Sequence, residues 1–369
     1  MKIKNQFNRG VQKVIIITFC WTLFSSLTFI NQYFFISDLV ALNKLSGSYE
    51  FWSDFIGYTF LGFLGGITGG YLLVFKMGSR YRRRSFAFGI INSGLLFIVF
   101  YLGLIAGGIF VLNFIYFSFQ SGIISAFDSA WSNLIVNLRS PSFFIIMGIW
   151  AIVVSFTQFM LQVSDKFGPG ILWKFITGMY YHPREEERIF MFLDLKSSTM
   201  IAEKISSKKF FELLKELYSD ITEPIINSRG EIYQYVGDEV VVTWSLKNGL
   251  VNSNCLLCFF RIEKALEAKK EFYLNTYGTL PSFKAGIHLG KTTVGEIGVI
   301  KKDIVFSGDV LNTTSRIQKE CNDQNVNILL SSDLLQRMPM NGDFQKIPLG
   351  EFQLKGREEK VELSTIKIR

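Results

Sequence analysis

A long stretch almost free of charge constrains this chain more than any other feature of its sequence. Between Arg84 and Arg139 the only charged side chain is Asp128. A helix needs about 20 apolar residues to cross the roughly 30 Å hydrocarbon core of a bilayer. Segments of that length occur at about residues 14–36, 55–75, 86–106 and 143–163. We therefore predict an α-helical transmembrane domain of four helices over residues 1–165.

The apolar positions 111–123 allow three interpretations: a fifth span, a continuation of the third, or an interfacial segment. Loops rich in Lys and Arg tend to stay in the cytosol, so we expect the basic N-terminus and the loop at residues 80–84 to be cytosolic. Four crossings return the C-terminal half to the cytosol, whereas five would export it. We predict a multi-pass protein of the cell membrane, inner or plasma, with both termini in the cytosol. No small-residue cleavage pattern follows the first apolar run, so we do not expect a signal peptide.

The net charge of +8 at pH 7 also points to the membrane. The basic residues gather beside the apolar segments, at residues 2–13 and 76–84. This placement predicts membrane lipids with anionic headgroups as neighbours, and no nucleic acid partner.

Glycines punctuate the second predicted helix. Small residues four positions apart allow the backbones of two helices to approach closely. The partner helix could belong to the same chain or to a second copy, and the sequence leaves both possibilities open. The glycines concerned are Gly62, Gly65, Gly66, Gly69 and Gly70.

Residues 166–183 form a predicted juxtamembrane connector between the transmembrane domain and a third segment, residues 184–369. A helix-breaking cluster at residues 165–170 is followed by the apolar run 171–181, which predicts a short amphipathic helix that ends before Pro183. Such a connector is either a passive tether or a segment that carries a signal. The sequence favours neither interpretation.

The third segment alternates between strand and helix patterns. An apolar run ends at Asp194, which is typical of a buried strand, and residues 230–244 alternate around a tight turn, which predicts a β-hairpin. The order predicts an α+β sandwich with its helices packed on one face of a sheet. We predict helices at about residues 199–206, 208–227, 250–275 and 310–321, and further strands at 283–289, 293–297 and 303–306.

Two aspartates in this segment can lie at one edge of the sheet. Asp194 ends the first strand, and Asp238 lies in the hairpin turn. Paired carboxylates together with substrate phosphates are the usual ligands of Mg²⁺ or Mn²⁺, and two such ions can stabilise both the attacking and the leaving oxygen in phosphoryl chemistry. Because aspartate is common in tight turns, the pair alone is weak evidence, and a purely structural role is the alternative.

Four ordered motifs surround these aspartates. Together they resemble the catalytic domain of a class III nucleotide cyclase, over about residues 184–368. The motifs are FMFLDLKSST at residues 190–199, GEIYQYVGDE at 230–239, GIHLG with VGEIG at 286–298, and SGDVLNTTSR at 307–316. The resemblance implies an α+β, ferredoxin-like class III cyclase catalytic domain that works as a head-to-tail homodimer.

The resemblance also implies roles for individual residues. Asp194, Leu195 and Asp238 of one protomer would bind two Mg²⁺ or Mn²⁺ ions. Asn312 and Arg316 of the other protomer would be the catalytic residues, which orient the ribose and stabilise the transition state as the 3′-hydroxyl attacks the α-phosphate.

Substrate recognition is implied for three further residues, Gln234, Val305 and Lys355. Lys355 resembles the lysine of the family that binds the polyphosphate. Gln234 stands where adenylate-forming members usually have lysine, and Val305 replaces a polar or acidic partner. A glutamine amide both donates and accepts hydrogen bonds, so it could address adenine or guanine.

The prediction is a membrane-anchored adenylate cyclase that converts ATP to 3′,5′-cyclic AMP and pyrophosphate. A guanylate cyclase that uses GTP and a module that binds nucleotide without turnover are the alternatives. The stimulus sensed by the membrane helices stays open.

Overall fold

The structure is a computed structural model that describes residues 2–41, 51–77, 86–167, 171–339 and 344–368. It divides the chain into two compact units, Met1–Lys166 and Phe167–Arg369. The basic loop at residues 80–84, on which part of the predicted topology depends, lies outside the described residues.

The described residues of the N-terminal unit are helical except at Gly122 and Ser140, which separate consecutive helices. Three helical segments are long and apolar enough to cross a membrane, Gly10–Asp38, Phe55–Lys76 and Phe143–Ser164. The helices are α1 (Lys2–Ala41), α2 (Phe51–Tyr71) with a π-helical extension (Leu72–Met77), α3 (Phe86–Ser121), α4 (Ile123–Arg139) and α5 (Pro141–Phe167).

The predicted count of four spans is not confirmed, because among the described residues only three segments qualify. The predicted third span, at residues 86–106, is part of α3, which continues to Ser121. Positions 111–121 therefore continue the same helix, as one of the three interpretations had it. Apolar composition cannot locate the end of a helix when no breaker interrupts the run.

The glycines of α2 pack against α1 of the same chain. A Cβ atom added at Gly66 would lie 2.6 Å from Thr18 Cα, and one added at Gly62 would lie 2.5 Å from Ser25 Cβ. Ser25 Oγ donates a hydrogen bond of 2.7 Å to the Tyr58 carbonyl oxygen across the same contact. Of the two possibilities that the sequence left open, the structure shows the contact within one chain.

The C-terminal unit is built on a mixed eight-stranded sheet. Seven strands run in the order β2-β3-β1-β4-β6-β8-β7, and β5 pairs with β4. The pairings are antiparallel except that of β4 with β6. The strands are β1 (Arg184–Leu195), β2 (Glu231–Val236), β3 (Glu239–Ser245), β4 (Phe283–Ile297), β5 (Asp303–Ser307), β6 (Ile328–Ser331), β7 (Phe344–Phe352) and β8 (Val361–Ile368).

The helices of this unit differ from the predicted ones mainly within the predicted helix 250–275, which a left-handed residue at Asn252 and a turn at residues 268–269 divide into separate helices. The helices are α6 (Ile171–Ile176), α7 (Ser198–Lys204), α8 (Ser207–Asn227), α9 (Leu246–Leu250), α10 (Asn254–Glu267), α11 (Lys270–Tyr277), α12 (Asp309–Asp323) and α13 (Ser332–Arg337).

Both faces of the sheet are covered, so the prediction of helices on one face is wrong. Alternate residues of β1 belong to different cores, as expected for a strand buried on both sides. Ile189 and Met191 pack with Leu217 of α8 and Phe259 of α10. Phe190 and Phe192 pack on the opposite side, in a core that includes Val310 of α12.

The hairpin predicted at residues 230–244 is confirmed, but two strand boundaries were wrong. β1 begins at Arg184 rather than near Ile189, and β4 runs unbroken where two strands were predicted. The two strands pair residue by residue from Arg184 with Val294 to Leu195 with Phe283. This long ladder carries β4 through Gly290, which the sequence pattern marked as a break.

The contact of α1 with α2 can be tested by adding a side chain at Gly66. We expect Gly66→Val to separate the helices and to destabilise the N-terminal unit by about 1–3 kcal/mol, as overpacking does in a close-packed interface. Thermal unfolding of the detergent-solubilised chain measures the loss. Gly57→Val is the matched control, because a Cβ atom there meets nothing within 4 Å. Equal melting temperatures of the two variants would contradict the contact.

Candidate active site

The structure brings Asp194 and Asp238 together at one edge of the sheet. Asp194 lies near the end of β1 and pairs across the sheet with Glu239, the first residue of β3. Asp238 directly precedes Glu239, in the turn that joins β2 to β3. The register of one antiparallel pair thus makes the two aspartates neighbours, although 43 residues of sequence lie between positions 194 and 238.

The chain leaves β1 sharply after the aspartate. Leu195 is the last residue of the strand, and its side chain is buried. The Lys196 amide then donates to the Ser282 carbonyl oxygen at 2.9 Å, and Ser197 takes a left-handed conformation with φ 55° before α7 begins. Because the Leu195 side chain is apolar and buried, only its main-chain carbonyl could contribute to a site at this edge.

Hydrogen bonding fixes the turn that holds Asp238. The Tyr218 hydroxyl of α8 donates to the Gly237 carbonyl oxygen at 2.6 Å, and its ring stacks on Tyr235 with centroids 4.5 Å apart. Burial, and then the Asp238 charge, raise the pKa of Tyr218 to about 12. Tyr218 therefore remains a neutral hydrogen-bond donor at physiological pH.

The electrostatics of this edge favour a cation. Burial raises the pKa of Asp194, and the nearby Asp238 charge raises it further. Burial also raises the pKa of Glu239, and Asp194 and Asp238 add to that rise. The three carboxyl groups repel one another, and a divalent cation bound by Asp194 and Asp238 would relieve that repulsion.

Two side chains that the sequence analysis missed face Asp194. Lys284 is its cross-strand neighbour on β4, and its charge opposes the rise in the Asp194 pKa. The Gln318 amide of α12 lies close enough to oppose it too. Gln318 is buried, and within the described part of the chain its Nε2 makes no hydrogen bond of good geometry. Lys284, as the one charged residue in the predicted strand 283–289, carried a signal in the sequence, whereas Gln318 carried none.

The donor set suits Mg²⁺ or Mn²⁺ rather than zinc. No cluster of three or more His, Cys, Asp and Glu ligands occurs among the described residues. Two carboxylates, with a main-chain carbonyl at Leu195, leave positions for water and phosphate oxygens, which is how proteins usually bind Mg²⁺. The residues present therefore fit the predicted ions, provided that a phosphate-bearing ligand completes the coordination.

Asn312 and Arg316 lie one helical turn apart on α12. Asn312 is exposed and Arg316 is half-buried. Two guanidinium atoms of Arg316 lie 3.4 and 3.9 Å from the position that a Cβ atom on Gly356 would occupy. Arg316 therefore lies beside the turn that carries the exposed Lys355.

This turn is attached to α12 by Arg357. Its Nη1 atom donates to Thr313 Oγ1 at 3.1 Å, and its Nη2 atom lies 4.0 Å from Asp309 Oδ2. Lys355 is thereby held on the same side of α12 as Arg316. The structure brings together three of the residues that the resemblance singled out, Asn312, Arg316 and Lys355.

Those three residues do not join the aspartates of their own chain. Arg316 and Gln318 are two residues apart, so their side chains leave α12 about 200° apart. Gln318 faces Asp194, whereas Arg316 faces Lys355. One chain therefore presents two separate groups of predicted site residues.

Close packing holds α12 in this orientation. A Cβ atom on Gly286 of β4 would lie 2.4 Å from the backbone nitrogen of Gln318 and 2.8 Å from the backbone carbonyl oxygen of Thr314. Only glycine allows the helix backbone to approach the strand so closely. His288, two residues further along β4, is buried and hydrogen-bonded to Ser331 Oγ at 2.7 Å.

Gln234 lies on β2 and Val305 on β5, and the residues next to them connect these two strands. The Phe306 amide of β5 donates to the Tyr233 hydroxyl of β2 at 3.3 Å, and the two rings meet edge to face at 5.0 Å. Gln234 is exposed and Val305 is half-buried. The strands that carry the two predicted base-binding residues are thus joined at neighbouring positions.

Comparison with known proteins identifies the C-terminal unit. The family described as the Adenylate and Guanylate cyclase catalytic domain matches residues 180–367. The chain is 35% identical over 203 residues to Adenylate cyclase 2 of Rhizobium meliloti (strain 1021), covering 55% of this chain and 56% of that relative. It is 26% identical over 205 residues to Adenylate cyclase 1 of the same strain, covering 54% of this chain and 29% of that relative. The matches therefore span about half or less of the length of these relatives.

A solved structure supports the same fold. A bacterial light-regulated adenylyl cyclase superposes with a TM-score of 0.52 at 18% sequence identity, and the match covers 63% of this chain and 67% of that one. At this identity the likeness concerns the fold alone.

Metal binding can be tested through stability. A carboxyl group whose pKa is raised on folding destabilises the folded state once it is charged, so the cost is absent below the unfolded pKa and complete above the folded pKa. Asp194 has such a raised pKa. We therefore expect Asp194→Asn to raise the melting temperature at pH 7 without metal, and to reduce the further rise that Mn²⁺ with a triphosphate gives the wild type.

Asp303→Asn is the matched control, because its exposed carboxylate pairs with the exposed Lys301. It should leave the Mn²⁺ effect unchanged. An equal Mn²⁺ effect in wild type and Asp194→Asn would contradict a metal site at this edge.

Proposed function

The chain belongs to the family of adenylate and guanylate cyclase catalytic domains, and we propose that it is a membrane-anchored adenylate cyclase that converts ATP to 3′,5′-cyclic AMP and pyrophosphate. One observation carries the proposal. Asp194 and Asp238 adjoin at one sheet edge, whereas Asn312 and Arg316 form a second group that faces away from them. This division is what a site completed by a second copy of the chain requires.

Asp194, Asp238 and the main-chain carbonyl of Leu195 would hold two Mg²⁺ or Mn²⁺ ions. Such ions, when bound, lower the pKa of the ribose 3′-hydroxyl and neutralise the triphosphate. Lys284 is the cross-strand neighbour of Asp194 and lends positive charge to that edge, while its ammonium donates a hydrogen bond to Asn322 Oδ1. Tyr218 keeps Asp238 in place through the Gly237 carbonyl.

The second copy would contribute the other group of residues. Its Arg316 guanidinium would spread positive charge over the α-phosphate as the P–O bond to pyrophosphate breaks. Its Asn312 amide would orient the ribose, and its Lys355 would bind the polyphosphate. All three lie together in one chain, so a single docking event would deliver them.

The proposed nucleotide is ATP, because both curated relatives described above are named adenylate cyclases. GTP is the second candidate, because the exposed Gln234 does not exclude it. A glutamine amide can donate to and accept from either purine, and Val305 offers no polar group to discriminate between them. The base is therefore the least constrained part of the proposed site.

The proposed organisation is a transmembrane domain at residues 1–165, a connector at 166–183 and a cytosolic catalytic domain at 184–369. Three apolar helical segments are long enough to anchor the chain among membrane lipids. The proposed location is the inner or plasma membrane. The chain would cross it several times, with both termini in the cytosol, where ATP is available. The partners are a second copy of the chain and the lipids, with no nucleic acid.

The activity itself is tested by product analysis. Purified full-length protein in nanodiscs, given Mn²⁺ and either ATP or GTP, should form cyclic AMP in preference to cyclic GMP. Asp194→Asn and Asp238→Asn should reduce turnover by at least about 10³-fold, because the charge at phosphorus is no longer neutralised, while Asp303→Asn should retain it. A dimeric wild-type protein that forms neither cyclic product would refute the proposed activity. It would favour a module that binds nucleotide without turnover.

The shared site is tested by mixing inactive protomers. Co-assembled Asp194→Asn and Arg316→Ala chains should regain up to about a quarter of wild-type activity, since half of the dimers are mixed and each has one intact site of two. Asp194→Asn mixed with Asp238→Asn is the control, because both changes damage the same group of residues and no mixed dimer has an intact site. Failure of the first mixture to exceed the control, once co-assembly is verified, rules out the shared site.

A further inference from the structure

Arg188 lies at the centre of a buried network that no catalytic role explains. Its side chain is 3% exposed, and each of its three guanidinium nitrogens donates a hydrogen bond. Nε donates to Thr243 Oγ1 at 3.1 Å, Nη1 to Glu186 Oε2 at 3.0 Å, and Nη2 to Glu231 Oε2 at 3.1 Å. The guanidinium also lies 4.8 Å from the centre of the Phe306 ring.

Two of these contacts reach the strands that carry the predicted base-binding residues. Glu231 begins β2, three residues before Gln234, and Phe306 directly follows Val305 on β5. Tyr233 completes the connection, because its hydroxyl accepts a hydrogen bond from the Phe306 backbone amide. Arg188 therefore links β2 to β5 beneath the surface where Gln234 and Val305 lie.

The connector contacts the same two carboxylates. Lys174 of α6 donates to Glu231 Oε2 at 3.0 Å, the same oxygen atom that accepts from Arg188. The Tyr180 hydroxyl donates to Glu186 Oε1 at 3.0 Å, while Arg188 uses the other oxygen of that carboxylate. Each carboxylate thus bridges Arg188 to a residue of the connector.

The Tyr180 backbone is itself attached to the sheet. Its carbonyl oxygen accepts the Glu296 amide of β4 at 2.9 Å, and the Lys174 ammonium lies 5.7 Å from the Tyr180 ring. Residues 174 and 180 therefore form one small assembly on the catalytic domain. A displacement of the connector that moves this assembly must act on both carboxylates.

We propose that Arg188 is a positioning residue for nucleotide recognition, which sets the spacing of Gln234 and Val305, and that the connector adjusts this spacing through Glu231 and Glu186. The inference rests on the proposed function and extends it to how the base-binding surface is controlled. A buried guanidinium cannot lose a carboxylate partner cheaply, so Arg188 follows its carboxylates when they move. The Phe306 ring, and with it Val305, shifts accordingly.

The first test replaces the guanidinium fork. Arg188→Lys keeps the positive charge but cannot bond Thr243, Glu186 and Glu231 together. In the full chain in nanodiscs, we expect the KM for ATP to rise by about tenfold and the preference for ATP over GTP to fall, with kcat changed by less than about threefold. A purely structural ion pair would instead lower the melting temperature and leave the KM and the nucleotide preference of the folded fraction unchanged.

The second test acts from the connector and leaves Arg188 in place. Lys174→Met and Tyr180→Phe each remove one bridge, and we expect each to raise the KM for ATP in the same direction as Arg188→Lys, by a smaller factor. Their effects should vanish when they are added to Arg188→Lys, since both act through the same side chain. Lys270→Met, in the exposed pair with Glu267, and Tyr181→Phe, at an exposed ring, are the matched controls.

The outcomes separate this inference from the proposed function. A wild-type chain that forms no cyclic product refutes the proposed function alone, and affinities for fluorescent ATP and GTP analogues then replace KM in the same comparison. An Arg188→Lys variant that folds and keeps the wild-type KM and nucleotide preference overturns the inference. If Arg188→Lys does not fold, the Lys174→Met/Tyr180→Phe double variant decides, and values equal to those of the controls overturn the inference.

Discussion

The pairing of β1 with strands on both sides is the constraint on which the catalytic unit depends. One strand register places Asp194 opposite Glu239 and therefore beside Asp238, and the other places Lys284 opposite the same aspartate. Because side chains alternate along a strand, a slip of one residue in either ladder would direct the Asp194 side chain into a hydrophobic core. The apolar residues that fill both faces of β1 hold that register. The packing of the interior therefore also determines where the carboxylates lie.

The helix α12 depends on that sheet in turn. Gly286 lets its backbone lie directly on β4, so the directions of its side chains are fixed relative to the aspartates. Gln318 then faces the Asp194 edge, and Arg316 faces the turn at Lys355. Six residues before Asp194 on the same strand, Arg188 connects β2 and β5 through Glu231 and Phe306. Asp194, Asn312 and Arg316 thus lie on a strand and a helix, and hydrogen bonds attach the turns of Asp238 and Lys355 to α8 and α12.

Much of this arrangement could be predicted from the sequence, because it rests on local patterns. The apolar run before Asp194 and the turn at Gly237 located a strand end and a hairpin, and motif order identified the family. The rest required long-range pairing. The full length of β4 depends on its ladder with β1, and the covering of the second face depends on where α12 docks. Gln318 and Arg188 acquire meaning only through neighbours that are distant in the chain, so no local pattern could single them out.

The two side-chain directions of α12 have a consequence for a dimer built as proposed. One short helix would serve two reaction centres at once, its own chain's through Gln318 and its partner's through Asn312 and Arg316. Because the helix rests backbone to backbone on β4, it cannot be adjusted for one centre without disturbing the other. The two centres would then be mechanically dependent, and substrate occupying one would change the turnover of its twin.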